Sequence, residues 1–201
     1  MAETPEIGVV ILAGGEATRL PNKLELLTGK VPLLVRVYRN VSPGRSTYIS
    51  CKGSFSRELD ALLDCPMVVD RWTQRGPLAG LLSTMEAMQT PLVFAVAGDA
   101  PFIDAAFIDR LAQTYAPGDE AVVPVHVRHG RRQLEPLAAL YDRVAFLREG
   151  SRALTGGDSS MHKMLSRLRV REISMDAADA KLFTNINTAD DFAAAAVAWM
   201  I

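Results

Sequence analysis

Ile7-Gly8-Val9-Val10-Ile11-Leu12-Ala13-Gly14-Gly15 is the stretch that decides the fold. An unbroken apolar run rich in β-branched residues and closed by paired glycines suits a strand covered on both faces, as in a parallel sheet. Working outward, segments of the same kind alternate with helical patterns. Pro32 opens a short helix over Leu33–Val41, and Ser46–Cys51 is a strand. A helix follows around Phe55–Leu63, and Met67–Val69 is a third strand ending at Asp70. Leu78, Leu81, Leu82, Met85 and Met88 recur at spacings of three and four, one face of an amphipathic helix. After Pro91, Leu92–Ala97 is another buried-type strand, and Asp104 caps a helix whose apolar face is Phe107, Ile108, Leu111 and Tyr115.

This alternation predicts an α/β architecture: three layers around a doubly wound, mostly parallel sheet with right-handed crossovers. Past residue 117 the pattern changes. Glu120–Val127 and Gln133–Tyr141 read as two strands around a turn at His129-Gly130, an antiparallel element in the C-terminal half. Arg143–Leu154 and Ser160–Leu168 read as helices and Val170–Ser174 as a strand. Thr188–Met200 is a helix with Phe192, Ala196 and Trp199 turned inward. With no repeat, low-complexity tract or linker, residues 1–201 are expected to form a single domain.

Composition narrows the function classes. At 49% apolar and 22% charged residues the chain is of globular type, and a net charge of −1 gives no long-range pull toward nucleic acid or anionic lipid. An anionic ligand must therefore be held by local donors. Cys51 and Cys65 lack CxxC spacing, and His126, His129 and His162 are scattered, so no zinc cluster is expected and a reducing compartment is. Met1–Glu6 is acidic, unlike the start of a signal peptide, and the apolar Phe192–Ile201 is about half the roughly 20 residues a bilayer demands. A soluble, cytoplasmic protein without membrane or nucleic-acid partners is the expectation.

In open α/β sheets ligands bind beyond the carboxyl ends of the strands. Three such ends carry unusual residues here: Gly14-Gly15 with Arg19 and Lys23, then Asp70, then Asp99. Paired glycines let the backbone approach a ligand and offer N–H groups to phosphate oxygens; Arg19 supplies a planar fork and Lys23 a point charge. Read alone, Gly14-Gly15 is a tight turn before a solvated basic loop. Neither GxGxxG nor a P-loop is present, since the next glycine is Gly29 and Gly29-Lys30 lacks its companions. Asp99, in Ala97-Gly98-Asp99-Ala100-Pro101-Phe102, is suited to hold Mg²⁺, which takes one or two protein carboxylates and completes its shell with phosphate and water. Because Asp104 already caps the next helix, capping does not account for Asp99. Asp70 precedes Gly76-Pro77-Leu78-Ala79-Gly80, where Gly80 costs helix propensity and suits close approach of something flat, such as a base.

Taken in order, these stretches resemble the molybdenum cofactor guanylyltransferases within the α/β nucleotidyltransferases. The match comprises Leu12-Ala13-Gly14-Gly15 with Arg19 and Lys23, Gly29-Lys30-Val31-Pro32-Leu33-Leu34, Asp70, Gly76–Gly80 and Gly98–Phe102. Glu135-Pro136-Leu137-Ala138-Ala139-Leu140-Tyr141 and Asn185-Ile186-Asn187-Thr188-Ala189-Asp190-Asp191-Phe192 complete it. The resemblance implies a Rossmann-like nucleotidyltransferase fold with GTP and molybdopterin-bound molybdenum as substrates, and a guanosine dinucleotide cofactor and pyrophosphate as products. It further implies that Leu12, Ala13, Gly14 and Gly15 bind the nucleotide with Gly76, Pro77 and Gly80. Arg19 and Lys23 would serve the phosphates, Asp70 the guanosine and Asp99 the Mg²⁺. Asn185, Asn187, Glu135 and Pro136 fall on the acceptor side, and other cofactor-biosynthesis proteins or molybdoenzymes are implied partners. Without the resemblance, the Asn pair reads as the approach to a helix capped by Thr188 with Asp191.

The chain also departs from the family pattern. Arg19-Leu20-Pro21-Asn22-Lys23 is compressed, leaving Lys23 as the only available lysine. An asparagine common after the second strand is replaced within Ser50-Cys51-Lys52-Gly53, and Ala100 and Ala138 stand where larger residues are frequent. Cytidylyltransferases acting on the same pterin tend to read Ala-Ala-Gly in the first loop and lack Gly-Pro-Leu-Ala-Gly, so Gly14 and Gly76–Gly80 favour guanine. Sugar-phosphate nucleotidyltransferases share the Thr18-Arg19-Leu20-Pro21 style but are usually longer. A non-catalytic nucleotide-binding protein on this fold is the rival class; Arg19, Lys23 and Asp99 argue against it. Arg128–Arg132 reads as a solvated basic turn or a contact for the acceptor's phosphate, and Trp72 as a packing residue or a base-stacking one.

Overall fold

The computed structural model describes residues 5–14, 20–72, 76–128 and 130–199. In chain order, β1 (Ile7–Leu12) is followed by the small ribbon β2 (Leu27–Thr28) and β3 (Val31–Pro32), then α1 (Leu33–Val41) and β4 (Thr47–Cys51). Next come α2 (Arg57–Asp60), β5 (Met67–Val69), α3 (Pro77–Ala87), β6 (Leu92–Ala97) and α4 (Ala105–Ala112). The C-terminal half holds β7 (Ala121–Arg128), β8 (Arg131–Leu134), β9 (Ala138–Asp142), α5 (Arg143–Thr155), α6 (Met161–Leu165), β10 (Val170–Ser174) and α7 (Ala189–Ala198).

The main sheet runs β10-β7-β9-β6-β1-β4-β5, with β8 also on β7. The partners of β1, which are β4 and β6, are parallel to it, whereas β9 is antiparallel to both β6 and β7. The mostly parallel sheet with an antiparallel element is therefore observed. The segment Gln133–Tyr141 is two strands rather than one. Pro136, which has no amide hydrogen to give a ladder, lies between them, and its carbonyl accepts from Tyr141 Oη at 2.7 Å. The chain thereby steps off the tip of β7 and re-enters the sheet between β7 and β6.

Alternation along the central strands builds two apolar layers. Val9, Ile11, Phe94 and Leu140 pack on one side with Leu34 and Val37 of α1 and Phe107, Ile108 and Leu111 of α4. Val10, Val93, Ala95 and Tyr141 pack on the other with Leu78, Leu81, Leu82 and Met85 of α3 and Phe146 and Leu154 of α5. A third, smaller cluster seats α7, through Ala195, on Leu33 and Ile186, with Phe192 and Trp199 against it.

Helix ends follow their capping chemistry. Asp104 accepts from Phe107 N at 2.9 Å, Ser160 from Lys163 N, and Thr188 with Asp191 forms a complete capping box. The helix expected around Phe55–Leu63 is limited to Arg57–Asp60, and the one expected over Ser160–Leu168 to Met161–Leu165. Helix α4 ends at Ala112, so Tyr115 packs on the core from beyond it. The larger difference is α3. Its spacing reads as amphipathic, yet every residue from Leu78 to Met85 is buried, because the helix lies between the sheet and α5. Its polar side chains are satisfied internally: Thr84 Oγ1 donates to Gly80 O at 2.8 Å and Ser83 Oγ lies 3.0 Å from Ala79 O.

Two glycines fix how α3 begins and how close it sits. Gly76 caps the helix at φ 117°, a conformation open only to glycine, and a Cβ on Gly80 would lie 2.5 Å from Ser50 Oγ and 3.0 Å from Leu12 Cδ2. The close approach at Gly80 is thus made by the strand ends of β1 and β4. At the opposite edge of the sheet, buried Glu120 accepts from Arg148 Nη2 at 2.8 Å and Arg169 N at 2.9 Å. The Arg148 guanidinium, then the Arg169 amide, hold its carboxyl below the usual range despite burial.

Gly80→Ala is expected to destabilise the protein by about 1–3 kcal/mol, the usual cost of overpacking. Adding Ser50→Ala should recover a substantial part of it, read as non-additivity in urea unfolding. Glu120 has a depressed folded pKa, so its stabilisation is present above the unfolded value of about 4.5 and lost as pH falls through the folded one. Glu120→Gln should accordingly lower the urea midpoint at pH 7, with the gap to wild type closing as the medium is acidified below pH 4.5; a gap that persists at the most acid pH would contradict it.

Candidate active site

The carboxyl ends of β6, β1, β4 and β5, adjacent in the sheet, open on one cavity of about 780 Å³. Gly14, Asp70 and Asp99 all line it, so the three strand ends singled out in the sequence share a rim. Pro21–Glu25 closes one side of the cavity, and Gly76, Pro77 and Gly80 at the head of α3 form another wall.

The centre of the site is a contact between Lys23 Nζ and Asp99 Oδ2, two groups 76 residues apart. Their side chains are only 15% and 14% exposed, so the pair is largely withdrawn from water. The compressed loop makes the contact possible through Asn22, which takes the left-handed conformation (φ 53°, ψ 25°) that asparagine tolerates better than most residues and starts the 3-10 turn carrying Lys23. Lys23 also donates to Asn187 Oδ1 at 3.0 Å, and Asp99 O accepts from Ile186 N at 2.9 Å. An ammonium has only donors, so the asparagine must present its oxygen. The segment before α7 therefore braces both members of the pair.

At the end of β1 the backbone is pinned: Ala13 N donates to Ser50 O and Gly98 N to Leu12 O, both at 2.8 Å. The Ala13 amide and Leu12 carbonyl are thus spent inside the sheet. Leu12 and Ala13 build the wall, and backbone donors for a ligand must come from Gly14 onward. Gly15 and Arg19 lie outside the described residues.

On the far side of the rim Asp70 N donates to Cys51 O at 3.0 Å, tying the ends of β5 and β4 together. Asp70 Oδ1 accepts from Trp72 N and lies 3.0 Å from Ser83 Oγ, so the carboxylate is held by its own turn and by α3. Trp72 itself packs on the core layer of α3 and α5. Ser50 and Lys52 line the same wall, Lys52 beside Gly14. Burial pushes the neighbouring Cys51 thiol up, which leaves it protonated and poorly nucleophilic.

Asn185 lines the cavity, whereas Asn187 reaches it through Lys23. Glu135 and Pro136 stand just outside the lining, which takes Leu137 instead; Glu135 Oε1 lies 2.8 Å from His126 Nε2. Because β9 runs antiparallel, its amino end faces this rim, and so residues before the strand approach the cavity. Of the basic turn, Arg132 pairs with Glu172 and His129 lies outside the described residues. Sequence reasoning missed Ser83, which orients Asp70, and Lys52. The serine carries no signal in an apolar helix, but Lys52 stood where the family's asparagine was missing.

The donor set limits what metal this site can take. Among the described residues no three or more His, Cys, Asp or Glu side chains converge. Mg²⁺ takes one or two protein carboxylates and completes its shell with phosphate and water. Asp99 fits that requirement.

Residues 9–172 match the family model described as the MobA-like NTP transferase domain. The chain is similar to the molybdenum cofactor guanylyltransferase of Cupriavidus pinatubonensis, with 33% identity over 95% of this chain and 96% of that one. It is similar also to that of Burkholderia ambifaria, with 34% identity over 96% and 97%. Among solved structures, the molybdopterin-guanine dinucleotide biosynthesis protein A of Archaeoglobus fulgidus superposes with a TM-score of 0.80, at 25% identity, over 95% of this chain and 97% of its own. With the family model matched over most of its length and these relatives aligned over nearly all of it, the chain belongs to the MobA-like NTP transferase family.

Proposed function

We propose that this protein is a molybdenum cofactor guanylyltransferase, transferring GMP from GTP to molybdopterin-bound molybdenum cofactor with release of pyrophosphate. The observation that carries the reading is the contact of Lys23 with Asp99 at the rim: a cation for phosphate and a carboxylate for a metal, brought together from distant parts of the chain. The full-length likeness to guanylyltransferases supports the choice of base and acceptor.

In this reading a phosphate oxygen of the acceptor attacks the α-phosphorus of GTP, the bond to the bridging oxygen of the β-phosphate breaks, and pyrophosphate departs. Lys23 and Arg19 neutralise the charge that develops on the phosphoryl oxygens, and backbone N–H groups from Gly14 and Gly15 bind the triphosphate. Asp99 would hold Mg²⁺, which when bound supplies charge neutralisation and alignment of the phosphates. Asp70, kept in one orientation by Ser83 and the Trp72 amide, receives the guanosine against Gly76, Pro77 and Gly80. Asn185 serves the acceptor end, with Leu137 lining the same cavity after Glu135 and Pro136. Among the described residues no helix is long and apolar enough to cross a membrane. A cytoplasmic enzyme handing its product to molybdoenzymes or to other cofactor-biosynthesis proteins fits this reading.

The test is pyrophosphate release from each of the four NTPs with Mg²⁺, with and without a molybdopterin acceptor. GTP-selective, acceptor-dependent turnover is expected, and Asp99→Asn should lower kcat at least about 10²-fold, the scale of losing a group that meets charge in the transition state, while circular dichroism stays unchanged. Equal use of CTP would defeat the choice of base; full activity in Asp99→Asn would defeat the assigned chemistry.

A further inference from the structure

We propose that Asp191 is a positioning residue for Lys23, acting through Asn187, and thus that the cap of α7 belongs to the catalytic apparatus; this rests on the function proposed above. Asp191 lies at N3 of α7, where an acidic side chain is ordinarily only half of a capping box. Here its Oδ2 accepts from two successive amides, Asn187 N at 3.0 Å and Thr188 N at 2.8 Å. The second bond is the usual one. The first reaches one residue further back and fixes the backbone of the asparagine whose side-chain oxygen receives Lys23 Nζ.

The chain of contacts is continuous: Asp191 carboxylate, Asn187 amide, Asn187 side chain, Lys23 ammonium, Asp99 carboxylate. Both bonds that Asn187 makes in it are 3.0 Å long. The Asn187 amide is the first cause of the lowered pKa of Asp191, and the charge of Lys23 adds to it, so the carboxylate and the ammonium share one electrostatic neighbourhood. Packing on either side of α7 makes the anchor stiff. Ile186, which binds Asp99 O, is fully buried on Leu33, and Trp199 stacks on Phe102 at 6.1 Å between ring centroids, in the segment that follows Asp99. A lysine on a flexible stem has many rotamers; fixing its head by two oxygens on opposed elements removes that freedom before substrate arrives.

A merely structural cap and a positioning residue are separated by comparing the two halves of the capping box. Thr188 Oγ1 accepts from Asp191 N at 3.1 Å and, among the described residues, makes no hydrogen bond with Asn187 or Lys23. Thr188→Ala and Asp191→Ala both weaken the helix cap, by roughly 1 kcal/mol each on general grounds, but only the second releases Asn187. The direct readout is the acylation rate of the Lys23 amine in the free protein, followed by mass spectrometry with a trace amine reagent.

Asp191→Ala and Asn187→Ala should each raise that rate at least about threefold, the double variant no further, and Thr188→Ala less than about 1.5-fold. In GTP turnover, Asp191→Ala should lower kcat at least about tenfold with KM for GTP within about twofold, and Asp191→Asn, which keeps an oxygen for both amides, should restore most of the rate. Equal labelling of Lys23 in all variants, or equal kcat losses in Thr188→Ala and Asp191→Ala, would overturn the proposal. Because labelling needs no nucleotide, altered Lys23 reactivity together with absent GTP turnover in the wild type would sink the assigned function and leave the positioning role standing.

Discussion

An ammonium and a carboxylate that meet while each is largely withdrawn from water constrain everything around them. Lys23 and Asp99 are costly to desolvate singly and tolerable only together. Their meeting requires that β1 and β6 be neighbours in parallel, with Leu12 level with Ala97, so that the loop after one strand and the turn after the other rise at the same height. The apolar side chains of β1, with helices covering both faces, make that adjacency the low-energy arrangement. The chemistry at the rim is thus a product of hydrophobic layering beneath it: two sets of alternating side chains settle which strand lies beside which, and the polar groups follow.

Charge is arranged along the rim in the order of the strands. Asp99 ends β6, Gly14 follows β1, Lys52 follows β4 and Asp70 follows β5, which spreads two carboxylates and a second lysine over neighbouring strands spaced about 4.8 Å apart. A chain with a net charge of only −1 meets an anionic ligand through this local pattern, not through an overall field. Mixed signs along the wall also suit a ligand that is itself mixed, with a polyanion at one end and hydrogen-bonding edges at the other.

How much of this the sequence discloses depends on the range of the interaction. Strands such as Ile7–Leu12 and Leu92–Ala97, and caps such as Asp104 and Thr188, are local events, and each is visible in a window of ten residues. The convergence of Gly14, Asp70 and Asp99 is also legible, because the rule for open sheets converts three strand ends into one location. What escapes is tertiary. The spacing of α3 marks one apolar face, but nothing in it reveals that α5 covers the other. Gly80 lines the cavity, but that Ser50 and Leu12 make the close approach at its missing side chain is not visible in the helix itself. Pro136 inside Gln133–Tyr141 is a local mark of the break there, but that the second half inserts between β6 and β7 is a tertiary fact. Asn187 resembles a residue of the helix approach until Lys23, 164 residues earlier, is found against it.

That separation has a consequence for how the protein comes into being. Ribosomes deliver the amino end first, so the glycine loop, Lys23 and later Asp99 leave the exit tunnel well before the asparagine that steadies them. The central strands and their flanking helices can collapse during translation, yet the ammonium–carboxylate pair stays unbraced until α7 has been made and docked. A nascent chain that stops short of α7 would thus hold a well-packed sheet with an unfinished rim.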